Sequence, residues 1–408
     1  MSEITRIIID SQSNRLFRGV KLEQNYDQRG GLCQVGEGHV LITTHPIDSD
    51  YLTYWRNLGF TLPTMYTVGP FNPEYTLSEL IMENSEIKKL LKQSIDGDVA
   101  RLEFFCIEET EKKLANYLDI PPYCQFDLAL SLSSKIAFKQ VCRDIGLNTA
   151  PWEPCYCQEE LTGAVHGFLS RGGSVLVKTD DGTGGIACGG MHKISSMKEL
   201  IDVQSDIVFP VIVERLIEYK QAEVSVHWEI DEQGQAHLIG IFGQLSKAFG
   251  YSGAFYPSGL SDPLLAVIQD ELHNKLIPFL QNQNGLGYFC CDILIDSAGM
   301  VLWTDFNPRK GAILYVHDMT RRIREIHPNN KRRYFWHEHC YFGDEKISFL
   351  SITKKLDSLL VPSKQAFVVV TNPGVIPFGY ADITGISSIS ITDAQSIMEI
   401  AKTKLGMG

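Results

Sequence analysis

Asp292 in GYFCCDILID, with Asp305 and Asn307 in LWTDFNPRKG, lies on what read as two neighbouring strands, and the spacing of Asp305 and Asn307 puts both on one strand face. Two carboxylates and an amide oxygen converging there match the hard oxygen ligands that magnesium takes when it also bridges nucleotide phosphates. A second group points to the same kind of ligand. In VLVKTDDGTGGIACGGM, the glycines Gly182, Gly184, Gly185, Gly189 and Gly190 follow an apolar run that ends in Lys178. Clustered glycine is costly to order and marks backbone that approaches something closely. The N–H groups of such a hairpin can fold over terminal phosphates, with Lys178 adding a point charge. The segment is not a P-loop, since no Gly-Lys-Ser/Thr follows, and not a dinucleotide fingerprint, since it joins strand to strand. In VIVERLIEYKQAEVSV, Glu214 ends a strand that could set a carboxylate and adjacent backbone against an adenine edge, and Glu223 could reach a ribose.

The elements that must position these residues follow from hydrophobic period. Apolar strands at Thr5–Ile9, His39–Thr44 and Ala100–Ile107 alternate with helical patterns at Asp50–Leu58, Leu77–Ile95 and Glu108–Leu118, which predicts a largely parallel α/β layer. The Pro-Pro of DIPPYC sets a boundary near residue 125. Ser131–Leu147 reads as an amphipathic helix capped by Ser133 or Ser134 and ended by Gly146. From Ala150 a unit of strands (Trp152–Tyr156, Ser174–Lys178, Cys188–His192) and one helix (Glu159–Leu169) reads as a lid. Val211–Arg215, Ala222–Ile230 and His237–Gln244 read as antiparallel strands, Phe249–Ser261 as a loop and Pro263–Asn282 as a helix. Two further strands, Gly287–Ile295 and Val301–Phe306, turn at DSAG.

With 408 residues, 44% hydrophobic and 21% charged, the chain is globular and long enough for two or three subdomains. A net charge of -12 argues against a general nucleic-acid or anionic-membrane binder, and no run of about 18 apolar residues occurs, so a cytoplasmic protein is expected. The ten cysteines form no CxxC pairs and read as reduced, mostly buried thiols. His337, His339 and Cys340 in WHEHC lack a second ligand cluster at zinc-site spacing.

The ordered set, spanning about Ser131 to Arg324, resembles the ATP-grasp superfamily. The resemblance implies an ATP-grasp domain at 126–335 with a mobile lid at about 150–210, an N-terminal α/β pre-grasp domain at 1–125 and a small C-terminal domain at 336–408. It implies ATP with Mg2+, or Mn2+, as cofactors. Lys135 and Lys178 would contact phosphates under the glycine loop, Glu214 and backbone near Leu216 would form the adenine pocket, and Glu223 would bind ribose. Asp292, Asp305 and Asn307 would hold the metal, and Arg309, with Lys310, would stand beside an acyl phosphate. The outer regions resemble, more loosely, the pheganomycin-type peptide ligases.

That resemblance implies activation of a carboxylate as an acyl phosphate and its capture by an amine, both small molecules, with a homodimer compatible. The basic run with Arg321, Arg322 and Arg324, continuing to Lys331, Arg332 and Arg333, would hold an anionic acceptor or the arm of an acyl carrier protein. Three alternatives stay open: a carrier-protein thioester ligase, a biotin-carboxylase-like enzyme, and a nucleotide-binding module without turnover. Two departures stand out. The second metal carboxylate is commonly glutamate where Asp305 stands, and Cys290 occupies a position where some relatives carry arginine.

Overall fold

The computed structural model describes the chain except residues 1–3, 13–21, 23–24, 70–71, 73, 96–98, 181–189, 219, 248, 328–333, 344–346, 363 and 408. Strands β1 (Thr5–Ile9), β2 (Val40–Thr43), β3 (Thr64–Thr67) and β4 (Ala100–Phe104) form a parallel sheet in the order β3-β2-β1-β4. Strands buried on both faces need apolar residues at consecutive positions. Accordingly Ile7 and Ile9 pack with Leu77, Ile81 and Leu114, while Ile8 and Leu41 pack the other way, with Trp55 and Tyr315.

The helix expected over Leu77–Ile95 is two helices, Leu77–Glu83 and Ser85–Ser94. Asn84 ends the first and caps the second, its Oδ1 accepting from Glu86 N (3.1 Å) and Ile87 N (3.3 Å), so a residue inside an apolar period acts as a breaker. The Pro-Pro segment runs beside β4: Leu102 N donates to Pro121 O (2.9 Å) and Tyr123 N to Leu102 O (2.8 Å).

A small antiparallel sheet comprises β5 (Trp152–Cys155), β6 (Val175–Thr179), β7 (Met191–Ile194) and β8 (Val211–Arg215), in the order β5-β8-β6-β7. The helix Gln158–Ser170 covers one face with Leu161, Val165 and Phe168.

The large antiparallel sheet has the order β13-β12-β9-β10-β11-β14-β16-β15. Its strands are β9 (Lys220–Ile230), β10 (Ala236–Lys247), β11 (Gly250–Tyr256), β12 (Gly287–Asp296), β13 (Val301–Asn307), β14 (Tyr334–Tyr341), β15 (Ala366–Thr371) and β16 (Tyr380–Ser387). Most of the expected Phe249–Ser261 loop is therefore β11, which joins the sheet's two halves by pairing with β10 and β14. Its glycines misled the reading. A Cβ at Gly253 would sit 2.2 Å from His337 O, so glycine here serves close strand approach rather than a turn.

The helix expected from Ser131 is also two, Phe126–Leu132 and Lys135–Ile145. Ser134 caps the second, accepting from Ala137 N at 3.0 Å, and Gly146 ends it at φ 72°. Phe138 stacks on Phe306 at 5.0 Å and so fixes this helix on β13. The expected helix Pro263–Asn282 runs as Asp262–Glu271 and Ile277–Asn282 joined by a π-turn. No helix among the described residues is long and apolar enough to cross a membrane.

Candidate active site

Strand alternation sorts the site. On β9, Val224, Val226 and Trp228 enter the core while Glu223, Ser225 and His227 line a cavity of about 910 Å³. On β12, Cys291, Ile293 and Ile295 are core and Asp292 lines the cavity; on β13, Phe306 is core between cavity-facing Asp305 and Asn307. Asp292 and Asp305 are direct cross-strand partners. The small sheet supplies the opposite wall. Val175, Val177 and Val213 pack under its helix, whereas Leu176, Lys178 and Glu214 face the cavity, Leu176 paired with Glu214.

The charges form one chain across this gap. Lys178 Nζ lies 2.9 Å from Glu214 Oε2 and 3.1 Å from Asp305 Oδ2. Glu214 Oε1 accepts from Lys139 Nζ, which also donates to Trp303 O at 3.2 Å. Lys139, Glu214 and Lys178 are 1%, 3% and 4% exposed. Burial opposes the charge on Lys178, but Asp305 and then Glu214 outweigh it and hold the ammonium above its usual range. Burial likewise pushes Asp305 up, and Lys178, Lys135 and Lys139 pull it well below the usual carboxylate range. Asp292 goes the other way: burial, then the charge of Asp305, raises it to about 7 against a hydrogen bond from Gln244 (3.3 Å).

The donor set fits a hard cation. Asp305 Oδ1 is shut from solvent without a partner among the described residues, beside Asp292, and Asn307 Oδ1 takes one bond from Arg309 Nη2 (3.2 Å). Among the described residues no group of three or more His, Cys, Asp or Glu is arranged to hold a metal, so a cation here would need further oxygens from its ligand.

Three comparisons bear on this arrangement. No family model matches the chain, and a search of curated proteins finds no match. Among solved structures, it is similar to an N5-carboxyaminoimidazole ribonucleotide synthetase in complex with ADP, at TM-score 0.62 and 13% identity over 100% of this chain and 98% of that one. It is also similar to an N5-carboxyaminoimidazole synthase from Aspergillus clavatus with ADP and 5-aminoimidazole ribonucleotide (TM-score 0.60, 10% identity, 100% of each chain). A third is the biotin carboxylase domain of Hydrogenobacter thermophilus 2-oxoglutarate carboxylase with MgADP and bicarbonate (0.58, 12%, covering 94% and 86%). The chain has the ATP-grasp fold. The match extends through the N-terminal and C-terminal segments, and none of these three is a pheganomycin-type ligase.

Within the ATP-grasp fold the expected residues part company. Lys135, Lys178, Glu214, Leu216, Glu223, Asp292, Asp305, Asn307 and Arg309 all line the one cavity. Leu216 N is committed to Ser174 O (2.9 Å), so that donor is unavailable to a base. Glu223 is bonded by Lys220 and Ser246. Gly182, Gly184, Gly185 and Gly189 lie outside the described residues, as do Lys331, Arg332 and Arg333; the paired ends Lys178 and Met191 of β6 and β7 flank the glycine segment.

Lys310 turns away from the cavity. Its Nζ bonds Asp318 Oδ2 (2.5 Å) and Gln34 Oε1 (2.8 Å), tying the large sheet to the N-terminal layer. The acceptor arginines are also elsewhere. Arg322 caps the carbonyls of Leu32 (2.6 Å) and Val35 (3.0 Å), Arg321 pairs with Glu325 (2.7 Å), and Arg324 is exposed. They lie in the C-terminal half of the helix Ala312–Ile326, whose first turns (Ala312, Ile313, Tyr315 and Val316) line the cavity, and none of the three arginines lines it.

Sequence reasoning missed Lys139, although its i,i+4 spacing from Lys135 in KIAFK places both on one helix face. It also missed Gln244 and the residues of the cavity's far end. Those come from β10, the N-terminal layer, β14 and β16, and no local pattern connects them.

Proposed function

We propose that the protein is an ATP-dependent ligase that converts a carboxylate to an acyl phosphate and passes the acyl group to an amine, releasing ADP and phosphate. The observation that carries this reading is the bridge of Lys178 between Glu214 and Asp305, with Asp305 Oδ1 unpartnered beside Asp292. A buried cation and hard oxygens at one point suit a polyphosphate more than any neutral ligand. Asp292, Asp305 and Asn307 would hold Mg2+ or Mn2+, which when bound supplies positive charge against phosphate oxygens. Lys178 and Lys135 neutralise the phosphates, and Glu223 faces the ribose. Leu176 and Leu216 border the adenine, with Glu214 fixed by the two lysines. Arg309 Nη1 and Nη2 bond Lys310 O (3.3 Å) and Asn307 Oδ1 (3.2 Å), which aims its guanidinium beside the metal ligands, where an acyl phosphate would form. Closing the cavity excludes water from that labile species.

Bicarbonate as the carboxylate is a second reading. It is favoured by structural neighbours whose names specify an N-carboxylated amine product or a bound bicarbonate. The test is ADP release by the full chain with ATP and Mg2+, screened with bicarbonate or organic acids against amines. Release that requires one carboxylate and one amine supports ligation. ATP binding without turnover under every combination would leave only a nucleotide-binding module.

A further inference from the structure

The cavity does not end at the nucleotide half. It continues from Asp292 and Asp305 past Arg309 to Phe105, Arg29, Tyr26 and His339. At this end Arg29 is the anomaly. Its Nε and Nη2 are shut from solvent and have no hydrogen-bond partner among the described residues. The guanidinium lies 4.1 Å from the centroid of Phe105, 5.1 Å from that of Tyr26 and 5.4 Å from that of Tyr315. Arg309 lies over the same Phe105 ring at 4.4 Å. Two guanidinium groups therefore meet one ring, one of them beside the proposed metal ligands and the other with two buried, unbonded nitrogens.

The nearby carboxylates do not close that edge. Asp10 accepts from Gly30 N (3.2 Å) and Tyr315 Oη (3.2 Å). Asp382 Oδ1 meets His339 Nδ1 at 2.5 Å, and its Oδ2 accepts from Asn372 Nδ2 at 3.1 Å. His339 Nε2 in turn meets Tyr26 Oη at 2.7 Å, which fixes the Tyr26 ring beside Arg29. The surroundings thus keep the guanidinium charged and rigid while leaving Nε and Nη2 unbonded. These two nitrogens form the side-on fork of arginine, the geometry that takes a carboxylate or phosphate through two parallel bonds. A buried donor pair left unbonded is costly, so its retention on a residue that lines the cavity points to a ligand there.

We propose that Arg29 is the anion receptor of the second-substrate subsite, binding through Nε and Nη2 an oxyanion, carboxylate or phosphate, carried by the amine-bearing substrate. This rests on reading the other end of the cavity as the nucleotide site. The substrate would then span from Arg29 to Arg309, with its amine delivered toward the acyl phosphate. The task expected of Arg321, Arg322 and Arg324 falls to a residue of the N-terminal layer.

Thermal unfolding of the full chain tests this, first with ADP and Mg2+ alone and then with two added probe sets. 5-Aminoimidazole ribonucleotide presents a phosphate, and the free α-amino acids present a carboxylate. One set should raise Tm further in the wild type, and which set does so identifies the oxyanion. The half-saturating concentration should rise tenfold or more in Arg29→Gln, and less in Arg29→Lys, which keeps the charge but loses the fork. The ADP response should be unchanged in both variants, which also shows that they fold. Equal probe affinity in wild type and Arg29→Gln would overturn the proposal, as would a wild type that responds to ADP but to neither probe set. A wild type that ignores ADP yet shows an Arg29-dependent response to a probe would retain the subsite and remove the nucleotide reading.

Discussion

Lys178 Nζ sits 3.1 Å from Asp305 Oδ2, a contact between residues 127 positions apart that ties the small sheet to the large one. Because Glu214 takes the same ammonium at 2.9 Å, one lysine is shared by a carboxylate on each side of the cavity. A polyphosphate bound here, as proposed, would compete for that ammonium, so the pair would couple its binding to the spacing of the two sheets.

Replacing either member should remove turnover while leaving the fold. Lys178→Met or Asp305→Asn is expected to lower ADP release about a hundredfold or more, the usual scale for loss of a preorganised charge. Wild-type turnover in either folded variant would show that the residue has no part in the chemistry.

Lys139 is a different kind of lysine. At 1% exposure it holds Glu214 from below and reaches Trp303 O, so Lys139→Met leaves Glu214 short of a partner. Breaking one side of a buried ion pair costs about 3 kcal/mol or more. Urea denaturation should show that loss, with Lys139→Met/Glu214→Gln losing less than the two single changes combined. A loss under about 1 kcal/mol in Lys139→Met would mean that Lys178 alone satisfies Glu214.

Asp27 gives a pH signature outside the site. Burial, against bonds from Thr44 N (2.6 Å) and Thr44 Oγ1 (2.9 Å), raises it to about 7 from an ordinary 3.8, and its Oδ1 has no partner among the described residues. The folded state then holds a proton that the unfolded chain releases, so its contribution is full below about pH 4 and is lost as pH rises through 7. The stability of wild type relative to Asp27→Asn, from Tm between pH 4 and 8, should fall as pH rises. A flat or rising difference would place Asp27 as an ordinary ionised carboxylate.

Much of this was legible in the sequence because it was periodic or punctuated. Thr5–Ile9 and Val211–Arg215 were bounded as observed, and the alternation of Asp305 with Asn307 around Phe306 put both oxygens on one face. Ser134 and Gly146 marked the ends of the helix that carries Lys135 and Lys139. What failed was composition read as conformation: Gly253 suggested a loop where it allows two strands to approach, and Asn84 passed as interior helix where it caps. The far end of the cavity was illegible for another reason. Arg29, Phe105, His339 and Asp382 are brought together only by docking the N-terminal layer against β14 and β16, a long-range event with no local period.

The residues proposed as metal ligands make a separable prediction. ADP should raise Tm more with Mg2+ than with a chelator in the wild type, and Asp292→Asn should need several-fold more Mg2+ for the same rise, since one hard anionic ligand is gone. An ADP response indifferent to Mg2+ would contradict the assignment of Asp292 and Asp305.

The central claim is that the cavity transfers the terminal phosphoryl group of ATP to a carboxylate. With the carboxylate and amine that support turnover, and the carboxylate labelled with 18O, ADP should form in step with the ligated product and one labelled oxygen should appear in inorganic phosphate, because the acyl phosphate breaks at its C–O bond. Stoichiometric AMP and pyrophosphate, or phosphate free of label, would contradict the account even with the fold and the site geometry intact.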